Sequence, residues 1–317
     1  MNNLTILITA IGSFSADCVI NTLKTNGHKV VGCDIYPATW HAVSKDCDIV
    51  YQAPFATKEN DYVSFLLDIC KKEHVDCIFP LTDLEIDVIN RHRKEFNDAN
   101  ISVFIQSEAC LNIARDKYIM FCLFKNDELV NVPFSVCSEE LKPNFPVPAI
   151  AKPINGRSSE GLKRVTKSEE LKELIGAPNY IIQQNIPGPV FTVDYVRDSF
   201  GNDFAVPREE LLRTKNGAGT TVRITPDKVL KDTASYIGNK LDIIGCVNME
   251  FILNDGKYYL IDINPRFSAG VAFSNFVGYD MVTSHLNSFT GKYICSPIEI
   301  KEQIICKRYR EELLWMN

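Results

Sequence analysis

From its first residues to about position 108 the chain alternates short apolar runs with amphipathic segments, and that alternation restricts the fold more than any other feature. TILITAI reads as a buried strand, followed by a turn at Gly12-Ser13 and an amphipathic segment from Ala16 to Asn26. HKVVGCDI is the next strand, Asp48 to Gln52 a short one, and Tyr62 to Glu73 a helix. CIFPLT, a helix from Leu84 to Phe96, and ISVFIQ complete the set. Strands separated by single helices imply a parallel sheet with right-handed crossovers.

From about residue 109 the rhythm changes. Apolar residues at three- and four-residue steps predict one helix from Glu108 through Phe124. The proline-punctuated strands VPFSV and VPAIAKPI follow, then the loop NGRSSEG, the strand LKRV, a short helix from Ser168 to Leu174, and the strand YIIQQNI. The last third holds FTVDYV, a helix from Asp227 to Leu241, and the runs CVNMEFIL and KYYLIDINPR around Asn254-Asp255-Gly256. A helix near Met281 to Phe289 and a strand around Ile298 to Cys306 close the chain. The fold class is therefore α/β at the start and α+β afterwards.

Composition excludes several classes of protein. A net charge of -6 argues against a general nucleic-acid or membrane-surface binder. The eleven cysteines include no C-x-x-C, and their number is odd. Cys18, Cys33, Cys70, Cys77 and Cys246 sit in apolar runs and read as small buried hydrophobes of a reducing compartment. The five histidines lack metal-ligand spacing, so no zinc site is expected. No apolar run approaches the length of a membrane span. LTILITAIG lacks a basic leader and runs straight into a helical segment, so it reads as a strand, and the expected location is the cytoplasm.

The first strand-Gly-helix-strand unit, with Asp34 ending the second strand, mimics a nicotinamide-binding fold. Of the G-x-G-x-x-G pattern only Gly12 is present, and Ser13-Phe14-Ser15-Ala16-Asp17 is too bulky for close backbone approach to a pyrophosphate. An aspartate after a second strand is also a common cap.

The hairpin near the C-terminus holds the strongest chemical signal. Residues two apart in a strand share a face, so Asn248 and Glu250 lie on one face of their strand, and Asp262 and Asn264 on one face of the other. A two-residue Asp255-Gly256 loop pairs Glu250 with Ile261 and sets the two acids on opposite faces. A three-residue loop with Gly256 left-handed pairs Glu250 with Leu260 and Asn248 with Asp262, which brings all four polar residues to one face. Gly256 suits the left-handed position, so the three-residue loop is the expected register. Two carboxylates and an amide oxygen make a hard, oxygen-rich site suited to Mg2+ with nucleotide phosphates, with Mn2+ as a substitute. A solvated polar face on a one-sided sheet has the same spacing.

A phosphoryl-transfer site also needs cations and small residues. Lys152 precedes Asn155-Gly156-Arg157-Ser158-Ser159-Glu160-Gly161, whose small residues let backbone N–H groups approach phosphates. A plain hairpin turn has the same composition. Lys117 stands in Arg115-Asp116-Lys117-Tyr118. Gln183-Gln184-Asn185-Ile186 ends a buried strand, where the backbone of Gln184 and Ile186 and the side chain of Gln183 can read an adenine edge.

The order of these pieces resembles the ATP-grasp superfamily: RDKY, a lysine before a glycine loop in KPINGRSSEG, a hinge in QQNIPGPV, then Glu250 and the run Asp262-Ile263-Asn264-Pro265-Arg266. Within it the chain is most similar to short stand-alone enzymes related to the carbamoyl phosphate synthetase large chain and the pyrrolysine-pathway ligase, through FPLTDLEIDV and VPREELLRTKNGAGTTVRI.

The resemblance implies a Rossmann-like domain over 1–108, a linker helix and lid over 109–182, and a C-terminal subdomain with a mostly antiparallel sheet and the metal hairpin over 183–317. It implies that Lys117 and Lys152 bind the α- and β-phosphates and that the loop with Gly156, Ser158, Ser159 and Gly161 closes over the γ-phosphate. Gln183, Gln184 and Ile186 would hold adenine, and Glu250, Asp262 and Asn264 would ligate magnesium. Arg266 and Arg208 would steady the transferring phosphoryl and the acyl-phosphate oxygens. Val190 stands where the family usually has a ribose-binding glutamate, Gln183 replaces a usual acid, and Ala269 occupies a frequent glycine position.

The function so implied is an ATP-dependent carboxylate–amine ligase that makes an acyl phosphate and releases ADP and phosphate. Its expected partners are a small-molecule carboxylate and an amine, with no nucleic acid and no membrane, and homodimerisation left open. Phosphorylation of bicarbonate or carbamate, and a nucleotide-binding subunit with little turnover, are the alternatives.

Overall fold

The computed structural model describes residues 3–157 and 160–309. The first segment runs β1 (Thr5–Ile8), α1 (Ala16–Thr25), β2 (Lys29–Asp34), β3 (Ile49–Gln52), α2 (Glu59–Glu73), β4 (Cys77–Phe79), α3 (Asp83–Arg91), α4 (Arg93–Asp98) and β5 (Ser102–Val103). These strands form a parallel sheet in the order β3-β2-β1-β4-β5. Alternate residues of β1 feed two cores: Ile6 and Ile8 pack with Val19, Ile20 and Leu23 of α1, while Leu7 packs with Leu66 and Ile69 of α2. The sheet is thus covered on both faces, which is why its strands lack an apolar–polar alternation.

Two expected helices are each divided. The 84–96 segment breaks at His92 between α3 and α4. The 108–124 segment breaks at Arg115-Asp116 into α5 (Glu108–Ala114) and α6 (Lys117–Phe124). Asp116 is extended there, and its carboxylate accepts from the backbone N–H groups of Tyr118 and Ile119. That N-cap outweighs the apolar periodicity running through the junction, because it satisfies donors a helix start leaves open.

Next come β6 (Ser135–Cys137), β7 (Ala149–Pro153), β8 (Lys163–Val165), α7 (Ser168–Leu171) and β9 (Tyr180–Gln184), the strands forming a small antiparallel sheet ordered β6-β9-β7-β8. The remainder holds β10 (Val190–Arg197), β11 (Asp203–Arg213), β12 (Gly219–Ile224), α8 (Lys228–Lys240), β13 (Gly245–Asn254), β14 (Lys257–Asn264), α9 (Val271–Phe276), α10 (Met281–Phe289) and β15 (Gln303–Cys306). Its strands make an antiparallel sheet ordered β14-β13-β10-β11-β12-β15. β15 begins at Gln303, later than the sequence suggested. Val193 and Tyr195 of β10 pack on Leu230, Ala234 and Ile237 of α8, whereas Val196 joins the core shared with β1 and α1. The face carrying Thr192, Asp194 and Val196 therefore turns towards the parallel sheet, and the cavity described below opens along it.

Cys33, Cys70, Cys77 and Cys246 are buried, while Cys18 is only half-buried. Burial alone lifts the Cys70 thiol to about 12 and makes it inert as a nucleophile. Among the described residues no helix is long and apolar enough to cross a membrane.

Candidate active site

The hairpin of β13 and β14 departs from the expected register. Asn254 pairs with Lys257, so the loop is the two-residue Asp255-Gly256, with both residues at positive φ (+47 and +73). This is the turn whose twist matches its flanking strands. Phe251 pairs with Leu260, but Glu250 pairs with Asp262, because Ile261 is a surplus residue in a β-bulge. The three-residue loop was wrong, and its consequence survives for another reason: the bulge restores the parity that the short loop removes. Asn248, Glu250, Asp262 and Asn264 all line one cavity of about 650 Å3. The bulge also leaves the Ile261 carbonyl free of the ladder, and the Lys152 ammonium donates to it at 3.1 Å.

Across the cavity lie the cations. Lys117, at the start of α6, is buried; its Nζ donates to the Gly156 carbonyl at 2.9 Å and lies 3.4 Å from Asp262. Lys152 stands on β7. Burial by its surroundings, followed by the positive charge of Lys117, lowers its pKa to about 8 against the partial support of Asp262 and Glu250. A lysine with that value loses its proton above about pH 8, so anion binding there then requires proton uptake. The dissociation constant for ADP should be flat up to about pH 8 and then rise by as much as about tenfold per pH unit. Calorimetric titrations from pH 7 to 9.5 check this, and a Lys152→Arg variant, which keeps its charge, should show no such rise.

The other expected residues are placed as follows. Gly156 lines the cavity and Gly161 (φ +70) turns behind Pro153, while Ser158 and Ser159 lie outside the described residues. Gln183 is buried and donates to Ser135 Oγ at 2.9 Å, whereas Gln184 is exposed; both line the cavity with Ile186. The strand turns at Gly188 (φ +150), where a Cβ would stand 1.9 Å from the Leu253 carbonyl oxygen. Val190 lines the cavity as well.

Both arginines are held by acids. Arg208 is buried between Asp194 (2.7 Å) and Glu210 (3.1 Å), and its Nη2 donates to Ser268 Oγ. Arg266 is bound through Nη2 by Asp83 at 2.9 Å. Asp83, at the β4–α3 junction, also lies 3.6 Å from Arg115. Burial opposes its charge, and Arg266 and Arg115 outweigh that burial and hold its carboxyl below the ordinary range. One carboxylate at the start of α3 thus holds Arg266, just after Asn264, and shares Arg115, just before Lys117, with Asp87 at 3.0 Å. Asp83→Ala leaves Arg266 without its carboxylate, while Arg115 keeps Asp87 at 3.0 Å, and should cost about 3 kcal/mol of stability, measured by urea denaturation.

The sequence reading did not assign Asp83, Arg115, Thr192, Asp194 or Glu210. FPLTDLEIDV resembles a family signature but marks no role for its aspartate, since a partner 183 residues away has no local signal.

The residues present fit magnesium. Glu250 and Asp262 face each other across the hairpin, and the Asn264 amide adds a third hard oxygen donor. Arg213 (3.1 Å from Glu250) and Lys117 balance the two carboxylates. Among the described residues no three acids, histidines or cysteines cluster for a metal. A magnesium here would need phosphate oxygens to complete its shell, as magnesium at nucleotide sites does.

Known proteins match this architecture. Residues 114–270 match the ATP-grasp domain family, and residues 6–104 the PylC-like N-terminal domain family. The chain belongs to the ATP-grasp superfamily. It is similar to a carbamoyl phosphate synthase large chain from Thermoplasma volcanium, with 25% identity over 307 residues, covering 83% of this chain and 27% of that one. The chain thus spans about a quarter of that relative's length.

Among solved structures, the biotin carboxylase domain dimer of Hydrogenobacter thermophilus 2-oxoglutarate carboxylase, in complex with MgADP, ADP and bicarbonate, superposes with a TM-score of 0.76. Its identity is 16%, and the match covers 93% of this chain and 71% of that one. The L-amino acid ligase of Bacillus licheniformis superposes with a TM-score of 0.69 at 16% identity, covering 91% and 75%.

Proposed function

We propose that this chain is an ATP- and magnesium-dependent carboxylate–amine ligase that works through an acyl phosphate. The observation that carries the reading is the facing of Glu250 and Asp262 with Lys117 and Lys152 across one cavity. Hard anionic donors opposite two ammonium groups, Lys117 buried and Lys152 half-buried, suit a polyphosphate with a divalent cation between them. On this reading residues 1–108 form a Rossmann-like domain, 109–182 the linker and lid, and 183–317 the subdomain that holds the metal hairpin.

Adenine would lie on the Gln183–Ile186 strand end, with the phosphates between the two lysines and the glycine loop folded over the last of them. Magnesium, when bound by Glu250, Asp262 and Asn264, would neutralise the charge gathering on the phosphate oxygens. A carboxylate oxygen of the substrate attacks the γ-phosphorus and ADP departs. The amine nitrogen then attacks the acyl carbon, and the C–O bond to phosphate breaks. The protein needs no covalent nucleophile for this, since phosphoryl transfer is governed by positioning and charge. Arg266, oriented by Asp83, is the guanidinium for the acyl-phosphate oxygens. Arg208 is a weaker candidate for direct contact, because two acids already hold it.

ADP release measured over amino acids and small acids, singly and in pairs, tests the proposal: turnover that needs both an acid and an amine is expected. MgADP binding without turnover on any pair would point instead to a nucleotide-binding subunit. Similarity to a carbamoyl phosphate synthase large chain over most of this chain favours one second reading, phosphorylation of bicarbonate or carbamate. Under it, bicarbonate and ammonia alone would release ADP.

A further inference from the structure

With adenine at the Gln183–Ile186 strand end and phosphates at the lysines and the hairpin, the ribose between them lacks an assigned partner. The cavity face of the antiparallel sheet locates one, and the argument rests on the nucleotide reading above. Residues on that face form rows across the strands. Asp262, Glu250, Thr192 and Arg208 make one row, since Glu250 pairs with Asp262 and Thr192 pairs with both Glu250 and Arg208. The next row lies two residues nearer the hinge. It contains Ile252 and Val190, which pair, and Glu210, which the register joining Phe191 to Glu209 sets beside Val190.

β10 begins at Val190, two residues after the turn at Gly188, so this second row separates the adenine-reading strand end from the phosphate-facing row. Two residues of strand advance about 6.8 Å, which leaves room for a pentose ring with its hydroxyls between the two rows. Ile252, Val190 and Glu210 all line the cavity, and of the three only Glu210 has a polar side chain.

The carboxylate of Glu210 is half satisfied. Its Oε1 accepts from Arg208 Nε at 3.1 Å. Its Oε2 is buried and, among the described residues, has no hydrogen-bond donor; the side chain is only 2% exposed. A glycine stands next to that oxygen: a Cβ on Gly219 would come within 2.0 Å of it. Buried carboxylate oxygens without donors are rare in folded proteins, and a vicinal diol offers two O–H donors at ring spacing. Val190, one strand away, has no side-chain acceptor for them.

We infer that Glu210 receives the ribose hydroxyls of the bound nucleotide through Oε2, so that β11 makes the contact for which β10 carries only Val190. Arg208 then becomes a positioning residue, holding the glutamate by its other oxygen.

The test is calorimetric titration of magnesium with ADP, 2′-deoxyADP or 3′-deoxyADP into the wild-type protein and Glu210→Gln. The wild type should prefer ADP over at least one deoxy analogue by about tenfold, as a hydrogen bond to a charged acceptor provides. Glu210→Gln should lose most of that preference, weakening ADP more than the discriminated analogue. Adding Val190→Glu to Glu210→Gln should restore part of it.

Equal wild-type affinity for the three nucleotides overturns the inference, and so does an equal loss for all three in Glu210→Gln. Failure of the wild type to bind ADP at all would sink the nucleotide reading itself, and this inference with it. Should Glu210→Gln not fold, Glu210→Asp, one methylene shorter, reads the same contrast.

Discussion

Replacing Glu250 by glutamine and Asp262 by asparagine in one protein should lower magnesium-dependent ADP formation by about a thousandfold. The size of the effect follows from the local charge. The two carboxylates are directly opposed in the hairpin and are balanced by Arg213 and Lys117, at 3.1 and 3.4 Å. Removing both leaves Lys117, Lys152 and Arg213 without their acids and takes away the anionic donors for a divalent ion. Two measurements should therefore diverge. Metal-free ADP should bind the double variant as well as the wild type or better, because three cations then face the phosphates unopposed. The tightening of ADP binding by added magnesium should vanish. Magnesium-dependent turnover at the wild-type rate would place the metal elsewhere.

The second large effect is expected at Lys152. Lys152→Met keeps the length of the side chain and removes its ammonium, and it should weaken MgADP binding by about a hundredfold, measured by calorimetry. Lys152 is the cation whose charge the surroundings already oppose, through burial and through Lys117. A nucleotide phosphate supplies the countercharge that this ammonium lacks. The same change should act in the opposite sense on the free protein. Between about pH 8 and 10.5 the unfolded chain keeps a proton on Lys152 that the folded chain has released, so this residue makes stability rise with pH. The methionine variant should lose that rise. Urea denaturation at pH 8 and pH 10 separates the two effects.

The parallel sheet was legible in the sequence because its signal is local: each strand and helix announces itself within a dozen residues. The helix break at Asp116 was equally local, yet apolar spacing across 108–124 masked it; the cap lies in a single side chain, and periodicity averages over many. The loop of the metal hairpin was misread for a different reason. Leu260-Ile261-Asp262-Ile263 alternates acceptably in either register, so nothing in the string marks Ile261 as surplus. The ion pairs that orient the candidate site join residues far apart: Asp83 with Arg266, Arg213 with Glu250, Arg208 with Asp194. Their strands and loops could be named from the sequence, but their meeting depends on how the sheets pack.

The bulge at Ile261 implies something about how such a hairpin tolerates change in chain length. Leu260 already faces Phe251 and Asp262 already faces Glu250, so a chain lacking Ile261 would bring the same acids together in an unbroken ladder. What it would lose is the spare carbonyl that receives Lys152. A one-residue insertion at this point of the hairpin is therefore absorbed without displacing either acid. In this hairpin, a local change in length and the identity of the facing pair are separable traits.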